Sequence, residues 1–472
     1  MKHFPSYTIA LTGLILFALY AVPVVGKHEM LTFSIVEYGA FDVDQFAPAT
    51  DLFQAANGHW YINSQPGTSF LGALLYLPFR VVVNRLFTTY ALSAELKPIV
   101  VRWLTYGLGL GALVGIGCAL TGAIVYRFTN SISIATATGL LSLFGTFYFP
   151  LATDVVGNQT TLMLSIVVML WLLSSRKGLS PLYVVLAGLA YGWGVLSDII
   201  GILIYPFVLG FLWMSSATKQ IDRLLQFLIG GIPPFLLLLF YNYQCFGNPL
   251  TIGYLQQADT GPGKQWWFVI PRLDWLWDNT FGVNLGLFTT SPLLLLGIYG
   301  MVVAIVQRQK ATSRENQFLI LAASIIVVYL LMTISYTASP TQGYNYGPRF
   351  LLPTIPSFMV FVGIAFTKLS LRKIVLPVSI FSVLLQLLAV NSEIRASGTS
   401  GGVLFLWSMA LIKGINIPLY TWLRSNLSAY TPFTPSHISP SLLIVVIVVI
   451  LIAIWCIQLL PDRQHKSEID LN

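Results

Sequence analysis

The sequence predicts an all-α polytopic membrane protein with about 12 transmembrane helices and with interfacial helices in its first outer loop. The chain of 472 residues is 56% hydrophobic and only 9% charged, and its mean hydropathy is +0.77. Soluble proteins carry about 25% charged residues. Apolar runs of about 20 residues, long enough to cross a bilayer, recur along the chain. These observations exclude a cytosolic enzyme, a secreted domain and a disordered chain.

The apolar runs divide into predicted spans at residues 8–25, 101–126, 131–150, 159–175, 181–197, 199–216, 224–241, 284–306, 317–336, 350–367, 374–391 and 440–460. The first run follows Lys2 and His3, and no small-x-small cleavage site comes after it. We therefore interpret it as a span and not as a signal peptide. The pair of spans at 181–216 is short because Ser197 and Asp198 interrupt the apolar sequence.

The apolar stretch 67–83 decides the topology, because counting it as a span would reverse the direction of every later helix. If this stretch is not counted as a span, the Lys and Arg residues of the short connecting loops, from Arg127 to Lys466, lie on the same side of the membrane as the N-terminus. That distribution follows the positive-inside rule. We therefore predict a cytoplasmic N-terminus, and we place 67–83 at the membrane interface as a helix that ends with Arg80 and Arg85.

This topology leaves short loops inside and long loops outside, where residues 26–100, 242–283, 337–349 and 392–439 lie. The function is therefore expected on the outer face. The sequence has no G-x-x-x-x-G-K-[ST] phosphate loop and no G-x-G-x-x-G after a strand. The basic residues behind the net charge of +8 lie beside the spans, which favours membrane topology over nucleic-acid binding. Three scattered cysteines form neither a disulfide framework nor a zinc cluster.

The first outer loop carries the candidate catalytic acids. Asp42 and Asp44 flank a single residue, and they lie between Phe41 and Phe46 near the membrane surface. A carboxylate in such a place can act as a general base or bind a cation. On spacing alone, a solvated acidic loop is the simpler interpretation of this pair. We interpret Glu29 and Glu95, two other acids of this loop, as solvated side chains.

Four motifs then follow in order along the predicted outer face. They are Gly58-His59-Trp60-Tyr61 with Gln65-Pro66-Gly67, then Phe246-Gly247-Asn248-Pro249, then Phe281 to Pro292, and finally Tyr346-Gly347-Pro348-Arg349-Phe350. With the acidic pair, they resemble the GT-C superfamily of membrane glycosyltransferases. The resemblance is closest to the bacterial branch related to protein O-mannosyltransferases and lipid A aminoarabinose transferases.

The resemblance implies a GT-C-like bundle and an enzyme that moves a sugar from a polyprenyl-phosphate donor to a glycan, lipid or protein acceptor. The reaction would take place on the outer (periplasmic or luminal) face of the bacterial inner membrane, with inversion. Asp44 is the first choice for the base and Asp42 the second. Arg349 is the leading ligand of the donor phosphate, followed by Arg102. No cofactor is expected, although Asp42 and Asp44 suit a divalent cation.

Two further acids and a set of polar residues complete the predicted site. Asp154 fits a second acidic position of the family, with a helix N-cap as its structural alternative. Asp198 interrupts an apolar run, and an ionisable group at membrane depth indicates function, with a helix N-cap as the structural alternative here too. The remaining expected pocket residues are His59, Tyr61, Gln65 and Tyr346.

The chain departs from the pattern at Ser64-Gln65, where the branch often has Asp-Lys or Asn-Lys before proline. This change predicts an altered donor or acceptor, or an inactive member. A lipid-linked sugar transporter or flippase and a catalytically inactive GT-C-fold binding protein therefore stay open as alternatives. Residues 1–391 are the predicted transmembrane core, with 26–100 as the catalytic loop. Residues 392–472 form an outer loop and a last span that would select the acceptor.

Overall fold

The computed structural model of the protein describes residues 4–22, 25–49, 52–90, 95–154, 157–175, 179–215, 219–251, 268–307, 313–337, 346–391 and 417–426, with isolated positions between 253 and 455. Over these residues the chain is helical apart from turns, loops and one two-stranded sheet. The predicted all-α architecture is therefore confirmed.

The helices of the first half are α1 (Ser6–Tyr20), α2 (Lys27–Phe33), α3 (Gly67–Tyr76), α4 (Arg80–Thr89), α5 (Leu96–Arg102), α6 (Gly111–Thr129), α7 (Ile132–Phe144), α8 (Tyr148–Asp154), α9 (Asn158–Leu173), α10 (Pro181–Ser197), α11 (Tyr205–Met214) and α12 (Gln220–Phe246). The helices of the second half are α13 (Leu273–Thr280), α14 (Leu287–Thr290), α15 (Leu293–Val306), α16 (Ser313–Thr333), α17 (Ile355–Phe366), α18 (Leu376–Val390) and α19 (Pro418–Asn426). Short 3₁₀ or π turns lie at Ser34–Tyr38, Asp44–Phe46, Leu77–Phe79, Trp103–Leu110, Ile199–Ile204, Arg349–Thr354 and Leu371–Val375.

The apolar helices match the predicted spans. Among the described residues, six helices are long and apolar enough to cross a membrane, and six more are apolar but only 10–17 residues long. Each predicted span up to 374–391 contains one of these helices, so the chain is a multi-pass membrane protein. The span expected at 440–460 lies mostly outside the described residues. The span expected at 131–150 is two helices, α7 and α8, because the chain turns between Phe144 and Tyr148.

Glycine allows the first span to pack closely against α6. A Cβ atom added at Gly13 would lie 2.7 Å from the Cα atom of Gly115, and one added at Gly115 would lie 2.1 Å from the carbonyl oxygen of Ala10. Real Cβ atoms do not approach that closely. Small residues at such crossings let helix backbones touch inside a membrane, where packing replaces the hydrophobic effect as the force that joins helices.

The segment Gly67–Thr89, formed by α3 and α4, also meets the length and composition of a span. Its described contacts involve loop residues of the predicted outer side. Gly67, at its start, packs directly on Ser197 at the end of α10. Near its middle, Tyr76 at the end of α3 donates a hydrogen bond to the carboxylate of Glu37, which also pairs with Lys97 at 2.9 Å. The interfacial position of this segment stays a prediction.

A small hairpin organises the first outer loop. Strands β1 (Leu52–Gln54) and β2 (Trp60–Ile62) pair antiparallel. The rings of Phe53 and Tyr61 pack on Phe246, with ring centroids 6.0 Å and 5.5 Å away. Phe246 is the last residue of α12, which ends because Gly247 takes the left-handed conformation at φ +70°. The second motif therefore anchors the loop that carries the candidate catalytic acids.

Candidate active site

Asp44 and His59 form a hydrogen-bonded pair on the surface of the hairpin. One carboxylate oxygen of Asp44 accepts the backbone N–H of Trp60 at 2.6 Å, and the other lies 2.7 Å from His59 Nδ1. The Trp60 N–H and then the His59 imidazole hold the pKa of Asp44 below its usual value. In return, the hydrogen bond and charge of Asp44 raise the pKa of His59. Asp44 is therefore an ionised, exposed carboxylate in a defined orientation.

Asp42 joins this pair, and we call Asp42, Asp44 and His59 the exposed acidic group. Each of the three residues has one potential ligand atom within 4.8 Å of those of the other two. Carboxylate and imidazole ligands at such spacing suit a divalent cation. The group can therefore act either through its carboxylates alone or around a bound cation.

A second set of polar residues lies at the ends of the helices, and its members are buried or half-buried. We call Lys27, His28, Asn63, Gln159, Asp198 and Arg349 the buried polar cluster. It draws on α2, on the loop after β2, on α9, on the break between α10 and α11, and on the 3₁₀ turn at Arg349–Thr354. Gly67 brings this loop against the break, since a Cβ atom added there would lie 2.6 Å from the backbone nitrogen of Ser197.

Asp198 lies outside both flanking helices and is only 4% exposed. Its carboxylate accepts a hydrogen bond from Gln159 at 2.9 Å and caps the 3₁₀ turn by accepting the N–H of Ile200 at 3.1 Å. Burial raises the pKa of Asp198 to about 6, although these bonds and the charges of Arg349 and Lys27 act in the opposite direction. The N-cap alternative predicted for Asp198 is therefore met, because its side chain caps this turn.

Lys27 is a member of the cluster that sequence reasoning missed. Its ammonium donates a hydrogen bond of 2.8 Å to the side-chain oxygen of Asn63. The adjacent His28 is buried beside Ser69, at 3.2 Å, and burial followed by the charge of Lys27 lowers its pKa to about 3. His28 is therefore neutral. The position of Lys27 could have revealed it as a candidate site residue. A lysine directly after the first span, on the predicted outer side, is an exception to the positive-inside rule.

Arg349 opens the 3₁₀ turn that leads into α17. Its guanidinium carbon lies 5.0 Å from the centroid of the Phe350 ring. Its Nε atom is buried and has no hydrogen-bond partner among the described residues. Gly347 shapes the approach, because it takes φ +76° and packs against Phe147. Packing thus holds Arg349, the predicted phosphate ligand, in place. Within the described part of the chain, no carboxylate lies within 4.0 Å of its guanidinium.

Arg102 is differently placed. Its guanidinium forms an ion pair of 2.5 Å with Glu29, and the two side chains are only 5% and 4% exposed. The interpretation of Glu29 as a solvated loop acid is therefore wrong, because α2 turns it inward beside α5. Phosphate binding by Arg102, which stays a prediction, would have to compete with this internal carboxylate.

The other predicted pocket residues are buried. The hydroxyl of Tyr61 accepts a hydrogen bond of 3.0 Å from Asn57, and that of Tyr346 accepts one of 3.2 Å from Trp407. Gln65 is 5% exposed, and its Oε1 atom has no partner among the described residues. The backbone of Asp154 ends α8, and its side chain lies outside the described part of the chain.

The exposed acidic group and the buried polar cluster are joined by β2. Asp44 binds the backbone of Trp60 at the start of this strand, and Asn63 follows its end. Because a strand advances about 3.3 Å per residue, these two attachment points lie about 10 Å apart. The structure therefore brings Asp44 together with His59, and it places Arg349 where its charge acts on the pKa of Asp198. It shows no direct contact between Asp44 and Arg349 among the described residues.

An apolar groove runs beside α3. It has a volume of about 600 Å³, and its apolar lining includes Leu74, Leu77, Trp193 and Leu237. Glu37 and Arg80 lie at its polar end. The groove suits an alkyl or prenyl chain whose charged head stays near the outer loop.

Comparisons with known proteins give structural likenesses only. No family model matches the chain. No curated protein matches it either. The structure is similar to that of ArnT from Cupriavidus metallidurans bound to undecaprenyl phosphate, with a TM-score of 0.48, 15% identity, and coverage of 90% of this chain and 72% of that one. It is also similar to the Archaeoglobus fulgidus oligosaccharyltransferase in the apo form, with a TM-score of 0.49 and 14% identity, covering 92% of this chain and 59% of that one.

A second structure of the archaeal enzyme, tethered with an acceptor peptide, gives a TM-score of 0.48 and 14% identity and covers 90% of this chain and 58% of that one. These proteins belong to the superfamily that the motifs resemble. Their identities and TM-scores are too low to assign an activity, so the function proposed below rests on the motifs and on the site itself.

Proposed function

We propose that the protein is a GT-C-type membrane glycosyltransferase that moves a sugar from a polyprenyl-phosphate donor to an acceptor on the outer face of the membrane. The observation that carries the proposal is the arrangement of charge at one end of the helical bundle. There, the half-buried cations Lys27 and Arg349 lie where their charges act on Asp198, while the carboxylates of Asp42 and Asp44 lie on the loop that leads to Asn63, the hydrogen-bond partner of Lys27. A transferase of this kind needs positive charge to stabilise the departing phosphate and a carboxylate to accept the proton of the acceptor hydroxyl.

The donor side of the proposal joins Arg349 to the apolar groove. A guanidinium matches phosphate geometry with two parallel N–H donors, and Arg349 has an Nε atom that no described residue engages. The groove beside α3 is apolar and would hold part of the prenyl chain. Burying apolar chain surface favours binding by about 25 cal/mol per Å². Polar contacts to the sugar hydroxyls would then supply specificity.

The acceptor side of the proposal assigns Asp44 as the base. The hydroxyl of the acceptor loses its proton to the Asp44 carboxylate as its oxygen bonds to the anomeric carbon. The bond from that carbon to the phosphate oxygen breaks, and polyprenyl phosphate leaves with the electron pair. Attack from the side opposite the phosphate inverts the anomeric centre. His59 orients the carboxylate, and the mechanism uses this chain's carboxylates without requiring the cation that the exposed acidic group suits.

A transfer assay tests the proposal. Purified protein would receive radiolabelled polyprenyl-phosphate mannose, glucose, galactose or aminoarabinose, with a crude envelope extract as acceptor. We expect label to move from one lipid into a product. Asp44→Asn should lower the rate by about 100-fold or more, the scale of a lost general base. Glu95→Gln, which removes another exposed carboxylate of the same loop, serves as the control.

The outcomes separate the alternatives. Transfer that survives Asp44→Asn at the full rate would reject Asp44 as the base and direct attention to Asp42. Lipid binding without transfer from any donor would favour a binding protein or a transporter. Since transport requires access from both faces, flipping of the lipid in proteoliposomes would then distinguish these two.

A further inference from the structure

Helix α13 exposes a row of large apolar side chains. Leu273, Trp277 and Phe281 recur every four residues, from the first residue of the helix to the residue after its last one, so they share one face. Their exposed fractions are 76%, 63% and 45%. Ile270, just before the helix, is 86% exposed. We call these four residues the apolar stripe of α13.

The rest of α13 divides into a buried face and an acidic face. The buried face packs against the protein, and its residues are at most 9% exposed: Trp275, Asn279 and Thr280. Asp274 and Asp278 form the acidic face, rotated by about 100° from the stripe because each follows one of its members by one residue. Both are exposed, and Asp274 pairs with Arg272 at 2.6 Å. A helix with one face on the protein, one apolar and one charged suits the surface of a bilayer.

The start of α13 is bonded to the end of a membrane-spanning helix. The N–H of Val269 donates a hydrogen bond of 2.8 Å to the carbonyl of Ser335, and the N–H of Arg272 donates one of 2.8 Å to the carbonyl of Ile334. Ile334 directly follows α16, which is long and apolar enough to cross a membrane. The start of α13 therefore lies at the depth where α16 leaves the apolar part of the bilayer.

The end of α13 is attached to the start of another apolar helix. The carbonyl of Phe281 accepts a hydrogen bond of 2.9 Å from the hydroxyl of Thr289, and its ring centroid lies 5.1 Å from that of Phe288. Both contacts are with α14, which is separated from α15 by two residues. Near these attachments the spans expose apolar side chains of their own, Leu331 in the last turn of α16 and Leu295 in the first turn of α15.

We infer that the apolar stripe of α13 is a membrane-binding surface, and that α13 lies in the headgroup region of the leaflet on the predicted outer side. The partner is the boundary between lipid headgroups and acyl chains. Because both ends of α13 are attached where apolar helices end, the stripe meets that boundary while the acidic face meets water. Tryptophan is enriched at this level of membrane proteins, as at Trp277. This surface goes beyond the proposed transfer reaction and does not depend on it.

Spin labels on α13 test the inference. Leu273→Cys, Trp277→Cys, Asp274→Cys and Asp278→Cys would each carry a nitroxide in full-length protein in liposomes. Labels at 273 and 277 should collide more often with oxygen, which concentrates in lipid, than with a water-soluble nickel complex. Labels at 274 and 278 should show the reverse preference. The apolar face should lie about 5–10 Å into the boundary between headgroups and acyl chains.

Two controls calibrate the labels. Val302→Cys lies within α15 and is 53% exposed, so its label should report the hydrocarbon of the bilayer. Wild-type protein treated with the same label gives the background from its three cysteines. Nickel collisions as frequent at 273 and 277 as at 274 and 278 would overturn the inference, because the stripe would then lie in water. Exclusion of both reagents from 273 and 277 would also overturn it, because protein, such as a second copy of the chain, would then cover the stripe.

Discussion

Removing one partner of the buried ion pair between Glu29 and Arg102 should strongly destabilise the first outer loop. The charged atoms lie 2.5 Å apart, and the side chains are 4% and 5% exposed. Glu29→Gln would leave the guanidinium of Arg102 buried without its counter-ion. Removing one partner of such a pair costs about 3–5 kcal/mol. The unfolding equilibrium should therefore shift by at least about 100-fold, since 1.4 kcal/mol corresponds to a factor of ten.

The free energy of unfolding would be measured by titrating the protein from mild detergent into denaturing micelles. The double variant Glu29→Leu with Arg102→Met removes both charges and should recover most of the loss, because no unpaired charge stays buried. Asp274→Asn is the matched control, since Asp274 and Arg272 form a pair of 2.6 Å that is more than half exposed. Its effect should be small. A loss for Glu29→Gln no larger than that control would refute the reasoning.

Three further predictions concern the site. Arg349→Ala should weaken binding of undecaprenyl phosphate and lower turnover, while Arg349→Lys retains part of both, as measured by titration and by transfer rate. NMR of labelled histidine should show that the pKa of His59 lies above its ordinary value and falls in the Asp44→Asn variant. The Asp44–His59 pair is therefore ionic below that pKa, and the ionic interaction is lost as the pH rises through it. A pKa that the substitution leaves unchanged would contradict the pairing. Gly67→Val should lower the thermal stability and the transfer rate, because a side chain there meets Ser197 within 2.6 Å, and a variant that behaves as wild type would contradict this packing.

Much of the architecture could be predicted because it depends on quantities that are local in the chain. The length and composition of the apolar runs located the helices, since every backbone group in a bilayer must be bonded within its own segment. The Lys and Arg residues between the runs gave an orientation. The predicted span 131–150 was wrong because the position of a break in a helix can depend on distant contacts. Between α7 and α8, the N–H of Phe147 donates a hydrogen bond to Ser291, which lies far away in sequence.

The candidate site was predicted in part for the same reason. Asp42, Asp44 and His59 lie in one loop with recognisable spacing, and the hairpin brings them together. Glu29 was misjudged, because an acid just outside a span looks solvated until its partner on another helix is known. Lys27 was missed because its hydrogen-bond partner Asn63 and the carboxylate of Asp198, whose pKa its charge affects, are distant in sequence.

The sequence alone therefore established a polytopic helical membrane protein and the acidic pair of its first long loop, while the outer position of that loop stays a prediction. Periodicity, length and charge are properties of neighbouring residues, so no folded structure was needed to recognise them. Folding established which charged groups meet. Arg102 pairs with Glu29, while Lys27 donates a hydrogen bond to Asn63 and Asp198 accepts one from Gln159. That distinction depends on distances between separate helices, and side-chain electrostatics in a buried site follows those distances and not the order of residues.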